Sequence, residues 1–304
     1  MITVKAFDKG LICNGFQYEI NKTYEVPVEK VEIGKYGFHA SAHCDISETV
    51  DYYYPDIANV EYALVDIDVV CSTDDTVVGN KITIIKKLQT LDELIEYDKT
   101  GRWCYQLARH VDRSLVKRLE DAVVEKDSSG EWCYRFANDI EGADINRLEN
   151  AVIDKDTTGL WCFQFAVDVK GANVKRLQDI VIKRDETGEL CLLFALWVKE
   201  ANIKYLEDAI IEKDLNGNMC YRFALLVNGA NIKRLQNEVI CKDKTGKWCY
   251  RFANDIRDAD IKRLENAVVE KDKTGTWCYR FMKNVNGADI RRLCKVVEQR
   301  QKLK

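Results

Sequence analysis

The stretch that decides the fold is Asp127-Ser128-Ser129-Gly130-Glu131-Trp132-Cys133-Tyr134-Arg135-Phe136-Ala137, whose pattern occurs seven times in the 304-residue chain. Its glycine recurs every 29 residues, with an aspartate three residues earlier and a cysteine three residues later. The glycines are Gly101, Gly130, Gly159, Gly188, Gly217, Gly246 and Gly275. A fixed period of this length is typical of a repeat array, and it outweighs local secondary-structure signals.

Each unit is predicted to form two helices. Ser129, replaced by Thr or Asn in the other units, is of the type that caps a first helix by accepting a hydrogen bond from its free amides. Asp or Asn at the position of Asp144 caps a second helix in the same way, and Leu148 and Val152 follow on its apolar face. Because capping and apolar periodicity agree in most units, the sequence predicts an α-solenoid of seven two-helix repeats.

The predicted solenoid covers residues 89–304, and residues 1–88 are predicted to form a small β-rich domain. The early chain contains runs of β-branched and aromatic residues, such as Ile2–Phe7 and Val60–Val70, that are broken by turn signals. Residues 89–97 form a half-repeat that closes the open end of the array, as a solenoid requires. The fold class is therefore α+β.

The charge distribution and the cysteine content indicate which partners and which cellular environment to expect for the protein. Residues 1–97 hold 8 Lys and Arg against 17 Asp and Glu, whereas residues 98–304 hold 38 against 33, so the two parts are expected to have different types of partner. No apolar run reaches the roughly 18 residues that span a bilayer, and the start of the chain lacks a signal pattern. Helices stacked about 8–10 Å apart keep the repeated cysteines too distant for a disulfide ladder. We expect a reduced, cytoplasmic protein without membrane contact.

Metal, cofactor and catalytic motifs are absent from the sequence. Asp154-x-Asp156-x-Thr158-Gly159 matches the start of an EF-hand loop, but Phe165 occupies the position of the bidentate Glu. The aspartate column is therefore predicted to form turns through its side chains. His39, His43 and Cys44 lie near one another without the second ligand pair that zinc needs. No phosphate loop or nucleophile motif occurs either, so a non-enzymatic protein without metal or cofactor is predicted.

Arginine repeats on the polar side of the second helix. One interpretation is a solvated face whose charges pair along the helix or across repeats. The others are contacts to phosphates of RNA or single-stranded nucleic acid, or to an acidic protein partner. The residues are Arg118, Arg147, Arg176, Arg234, Arg263 and Arg292.

The strongest functional signal is the place where the repeat departs from its own pattern. Two surface columns of the first helix are polar near the ends of the array, as in Asn138 with Asp139 and Asn254 with Asp255, and apolar in the middle. Contiguous apolar surface typically marks an interaction site, here for a protein partner or a second copy of the chain. The alternative is that the array curves and buries these side chains. The predicted partner-binding residues are Val167, Leu192, Leu193, Leu196, Trp197, Leu225 and Leu226.

The repeated sequence resembles helical repeats in proteins of phages, prophages and their Firmicute hosts. The resemblance is carried by Trp-Cys-Tyr-Arg-Phe-Ala-Asn-Asp-Ile, as at 132–140. Gly15-Phe16-Gln17-Tyr18-Glu19 and Gly37-Phe38-His39-Ala40 resemble an uncharacterised domain that precedes such repeats. This resemblance covers nearly the whole chain and implies a mobile-element context without an assigned activity. It leads to the expectation of a phage-borne, protein-binding inhibitor of a bacterial defence complex, similar in role to anti-CRISPR proteins.

Two other functions stay open at this stage. The first is an RNA-binding or single-stranded nucleic-acid-binding array that uses the arginine columns. The second is an activity of the β-rich domain, because His39, Tyr52-Tyr53-Tyr54 and Glu61 resemble the His, Tyr and Glu set of ADP-ribosyltransferases in residue type. That resemblance covers no contiguous motif.

Overall fold

The computed structural model describes residues 1–50 and 59–302. Contacts divide the chain into two units, Met1–Asp156 with Val169–Gly171, and Thr157–Asp168 with Ala172–Lys304. The first unit holds an antiparallel β region and the first helices, and the second holds helices alone. The chain therefore has the α+β fold with a helical repeat region that the sequence predicts.

Within residues 1–50 and 59–88, seven strands form the β region. An antiparallel sheet has the order β1-β6-β7-β4, with β5 also paired to β7, while β2 and β3 form a separate two-stranded ladder. Short 3-10 helices cover Val28–Lys30 and Ile46–Thr49. The strands are β1 Ile2–Phe7, β2 Ile12–Cys13, β3 Phe16–Gln17, β4 Thr23–Glu25, β5 Phe38–Ser41, β6 Glu61–Ser72 and β7 Thr76–Leu88. Alternate residues of β6, among them Ala63, Val65 and Ile67, pack into the core because side chains of a strand point to opposite faces.

Fifteen α-helices follow β7 within the part of the chain that the structure describes. The first unit contains α1 Leu91–Tyr97, α2 Arg102–Ala108, α3 Arg113–Lys126, α4 Glu131–Asp139 and α5 Ile145–Lys155. The second unit contains α6 Leu160–Asp168, α7 Val174–Arg184, α8 Glu189–Trp197, α9 Ile203–Lys213, α10 Asn218–Leu226, α11 Ile232–Lys242, α12 Lys247–Asp255, α13 Ile261–Lys271, α14 Thr276–Asn284 and α15 Ile290–Gln301. No helix among residues 1–50 and 59–302 is both long enough and apolar enough to cross a membrane.

The predicted boundary at residue 88 coincides with the end of β7, and α1 begins three residues later. The half-repeat opens with the capping box that the sequence indicates, in which Thr90 accepts from the Glu93 amide and Glu93 from the Thr90 amide. In the first unit, buried Trp103 of α2 donates its indole N–H to the Tyr62 hydroxyl of β6 at 3.0 Å. The sheet and the first repeat thus share part of one core.

The repeated aspartate forms the turn before each first helix. Asp127, which is buried, accepts hydrogen bonds from the amides of Ser129 at 2.9 Å, Gly130 at 3.0 Å and Cys133 at 2.9 Å. Gly130 has a φ of +87°, and an added Cβ would lie 3.3 Å from the Cα of Val152, so both backbone conformation and space require glycine. The prediction of a turn built by the aspartate side chain is confirmed. Ser129 also accepts from the Glu131 amide as predicted, but the aspartate supplies most of the cap.

The second helices begin as the sequence predicts. Each cap side chain accepts a hydrogen bond from the backbone amide three residues later, which satisfies an amide that has no partner within the helix. These cap residues are Asp144, Asn173, Asn202, Asn231, Asp260 and Asp289.

A buried polar column joins neighbouring repeats, and the sequence analysis did not identify it. The Glu207 carboxylate of α9 accepts the backbone amide of Asn231, the cap of α11, at 2.8 Å, and it is only 3% exposed. Glu265 does the same for Asp289 at 2.8 Å. A buried acceptor without its donor costs about 1–3 kcal/mol, so within each unit this column makes the position of a repeat depend on the one before it.

Candidate functional site

The second unit presents an apolar surface at the C-terminal ends of three successive first helices. We call it the central patch and define it by residues whose exposed fractions lie between 38% and 66%. They are Val167 on α6, Leu196 and Trp197 on α8, and Leu225 and Leu226 on α10. Trp197 is the most exposed, at 66%. The side chains are therefore open to solvent within this unit, and burial by curvature of the array does not occur there.

Two of the predicted patch residues lie elsewhere. Leu192 is only 1% exposed, and Leu193 is half-buried. The prediction of Leu192 as a surface residue is therefore wrong. Tyr221 and Tyr250 occupy the equivalent positions in later repeats and are also buried, so this column is core in these repeats. Residue type alone does not decide the question, because leucine occurs both in cores and on surfaces.

The buried tyrosines explain why the patch positions are polar in the later repeats. The Tyr221 hydroxyl donates to Asp255 of α12 at 2.6 Å, and Asn284 of α14 donates to the Tyr250 hydroxyl at 2.8 Å. Burial, followed by the Asp255 carboxylate, raises the pKa of Tyr221 to about 12, so the phenol stays protonated and donates. Each pair joins residues 34 positions apart.

Around the central patch the same pair is apolar on both sides. Phe163 and Leu192 replace the tyrosines, and the residues 34 positions later are Trp197 and Leu226. Without a hydroxyl to donate, a carboxylate at 197 or 226 would have no equivalent partner in the preceding repeat. The absence of this hydrogen bond explains why positions 197 and 226 are not Asp or Asn. It does not explain why they carry large apolar side chains that are at least half exposed. The tyrosine is lost at 163 where the polar residue is lost at 197, and likewise at 192 and 226. This correlation is visible in the sequence, but the sequence analysis above did not use it.

Most of the arginine column is engaged in ion pairs with the preceding repeat. Arg147 pairs with Glu120 at 3.1 Å and with Asp121, and Arg234 pairs with Glu207 at 3.3 Å and with Asp208.

The remaining arginines follow this pattern only in part. Arg292 pairs with Glu265 at 3.3 Å, and Arg118 pairs with Asp92. Arg176 is exposed, and its backbone amide bonds to the cap residue Asn173. Within the described residues the Arg263 guanidinium has no ion pair, because Gln236 takes the place of the glutamate. These contacts favour the interpretation of a solvated face that pairs across repeats.

The predicted ADP-ribosyltransferase-like residues do not come together in the described part of the β region. His39 of β5 accepts the Gly34 amide at its Nε2 atom, 2.9 Å away. Glu61 of β6 is held elsewhere, by the amides of Gly10 and Leu11 and by an ion pair with Lys87 at 2.8 Å. Tyr52, Tyr53 and Tyr54 lie outside the described residues.

Metal-binding geometry is also missing from residues 1–50 and 59–302. No group of three or more His, Cys, Asp or Glu side chains there is arranged to hold a metal ion. His43 pairs with Glu48, which raises the pKa of the imidazole through a hydrogen bond. The aspartates of the EF-hand-like stretches elsewhere, such as Asp243, are occupied by backbone amides.

Residues 1–96 match the family model of a domain of unknown function, DUF7666. The match covers the β region and the half-repeat helix, and it carries no activity. No curated protein matches the chain. The uncharacterised domain inferred from the sequence is thus confirmed, and a helical region follows it.

Proposed function

We propose that this chain is a non-enzymatic repeat protein that binds a protein partner through the central patch. The observation that carries the proposal is the exposure of large apolar side chains on three consecutive first helices, where later repeats carry Asp and Asn. Trp197 is the expected energetic centre, since tryptophan is enriched among the residues that dominate interface energies.

The chemistry of the patch favours a folded protein over nucleic acid. Nucleic-acid binding needs cations that are free to neutralise phosphates, and at least four of the six column arginines pair with carboxylates. The patch itself offers no cation among its five defining side chains. Within this proposal, the resemblance to phage and prophage repeats supports a partner in a bacterial defence complex, which the chain would inhibit.

The test restores the polar pair of the later repeats. The fourfold variant Phe163→Tyr, Trp197→Asp, Leu192→Tyr and Leu226→Asp replaces the two most exposed residues of the patch and supplies each new carboxylate with a phenol, as in the Tyr221–Asp255 pair. Thermal stability should stay close to wild type. Partner affinity should fall by about 30-fold or more, which corresponds to the roughly 2 kcal/mol typical of one dominant interface residue.

The matched control is Leu215→Asp, which also places a carboxylate at a leucine but at a turn outside the patch, where the side chain is 85% exposed. It should bind like wild type. The assay is capture from bacterial lysate with nuclease present, followed by titration of the purified partner, and sedimentation measures self-association. Equal binding by the fourfold variant and wild type would disprove the role of the patch. Nuclease-sensitive capture would favour RNA, and a dimer lost only in the fourfold variant would show that the partner is a second copy.

A further inference from the structure

The β region contains a cavity of about 600 Å³ that the central patch does not involve. Strands β1 and β5 supply one wall through Lys5 and Phe38, and the chain near Phe16 and Tyr36 supplies another. This volume lies within the range of small-molecule sites in proteins, which is about 300–1,000 Å³. The cavity is large enough for a one-ring or two-ring ligand.

Lys5 is the most unusual residue in the lining. It is only 6% exposed, and its ammonium nitrogen donates to the carbonyl oxygen of His39 at 2.8 Å. The nitrogen also lies 5.2 Å from the centre of the Phe7 ring. Among the described residues, no carboxylate pairs with it. Burial lowers the pKa of Lys5, because the charged form loses hydration that the nearby Cys13 side chain replaces only in part.

A buried lysine beside a cavity calls for an acceptor in that cavity. An ammonium has three N–H donors; the His39 carbonyl accepts from one of them, and the sulfur of Cys13, a weak acceptor that also lines the cavity, interacts with the ammonium as well. Buried cations in proteins are normally paired with an anion, since an unpaired charge is costly away from water. A ligand carboxylate would supply both the counter-ion and the missing acceptors.

Aromatic rings define the remainder of the ligand. Phe16 and Tyr18 pack edge to face with their ring centres 4.9 Å apart, and Tyr18 packs against Phe38 at 6.4 Å. Phe16 is 51% exposed although it lies in the lining, so a large apolar surface remains uncovered there. Such walls favour a flat, apolar body over a sugar or a peptide.

Asn14 and Gly37, two residues of the cavity wall, have a positive φ. Asn14 has a φ of +50°. Gly37 has a φ of +118°, and an added Cβ there would approach the Val78 side chain to 2.8 Å. Asn14 and Gly15 form the tight turn between β2 and β3, and the absence of a side chain at Gly37 leaves room for Val78.

The other charges in the lining orient an acid toward Lys5. Glu48 is already bonded to the Ser41 hydroxyl at 2.5 Å and to His43, and Asp75 accepts from the Thr73 hydroxyl at 2.8 Å. Both carboxylates repel an anion from their part of the cavity. From these contacts we infer that the cavity binds a small aromatic acid, with the ligand carboxylate on the Lys5 ammonium and its ring against Phe16, Tyr18 and Phe38.

Matched pairs of acid and amide test this assignment. Titration calorimetry with 2-naphthoate and benzoate, and with 2-naphthamide and benzamide, is done on the full chain carrying the fourfold patch substitution, which reduces apolar binding at the central patch. The acids should bind at least about tenfold more tightly than the amides of the same ring, because a hydrogen bond to a charged group is the stronger kind. Lys5→Met should remove this preference, and Phe16→Ala should weaken acid and amide alike.

Lys35→Met is the control, since Lys35 also lines the cavity but is exposed and pairs with Glu32. It should leave the preference for the acid unchanged. Absence of saturable binding by either acid at millimolar concentration, or equal binding of acid and amide, would overturn the inference. If Lys5→Met fails to fold, the comparison of acid with amide and the Phe16→Ala variant still decide the question. Failure here would leave the proposal for the central patch untouched.

Discussion

The repeated aspartate provides the sharpest test of how the array is held together. In the last repeat, Asp272 is 1% exposed and accepts hydrogen bonds from four backbone amides. The distances are 3.0 Å to Thr274, 3.0 Å to Gly275, 2.7 Å to Trp277 and 2.9 Å to Cys278. The perturbation is Asp272→Ala, with Asp272→Asn as its companion.

The magnitude follows from the amides that lose their acceptor. The hydrogen bonds from Gly275 and Cys278 are fully buried, so water cannot replace the carboxylate there. Each buried amide left without a partner costs about 1–3 kcal/mol, so the two together make Asp272→Ala cost about 2–6 kcal/mol. Asp272→Asn should cost nearly as much, because its NH₂ group would face amides that are themselves donors.

The assay is native-state hydrogen exchange of α14 and α15, because a terminal repeat can open without the rest of the array. The control is Asp289→Ala in the same repeat, where the side chain accepts one exposed bond, from the Arg292 amide at 3.1 Å. That loss should be about 1 kcal/mol. If Asp272→Asn behaves like wild type, or if Asp289→Ala costs as much as Asp272→Ala, the account of the turn is wrong.

Two further predictions use the same column. Thiol reagents should label Cys241 and Cys294 quickly in the native protein, whereas the seven buried column cysteines should react only after unfolding; burial, then the nearby aspartate, raises the pKa of Cys278 to about 11. Rapid native labelling of the column would contradict its place in the core. Burial alone would raise the pKa of Asp185 and Asp272. Hydrogen bonds, the largest of them from Cys191 and Cys278 respectively, outweigh burial and lower the pKa of both aspartates below the ordinary value of 3.8. Their stabilisation should therefore be complete above about pH 4 and be lost as pH falls further. Urea midpoints measured from pH 6 to pH 2.5 should show the loss, and a smaller loss in Asp272→Asn; an equal loss in both proteins would rule out Asp272 as a source.

The sequence was sufficient wherever a feature depends on residues close along the chain. The Asp127 turn, the cap at Asp144 and the capping box of Thr90 and Glu93 join groups within six positions of one another. These hydrogen bonds can therefore be predicted from a stretch of sequence shorter than one repeat. Because the pattern recurs every 29 residues, a correct prediction for one repeat applies to the other repeats as well.

The sequence also indicated the central patch but not its composition. The contrast between Asn254 or Asp255 and Leu225 or Leu226 is visible without coordinates. Whether Leu192 is inside or outside is not visible, since leucine suits both.

Only tertiary structure decided the features that join distant positions. Glu207 reads in sequence as one more acidic residue on a charged helix, yet it is buried and bonds to the Asn231 amide 24 positions later. In the sequence Lys5 is a polar residue that alternates with apolar ones on a strand, yet in the structure it is buried under β5 beside a cavity, and among the described residues no carboxylate pairs with it. Local patterns fix hydrogen bonds within a turn because the partners are covalently near. Burial of a polar group depends on which distant segment covers it, and that is a property of the packed chain alone.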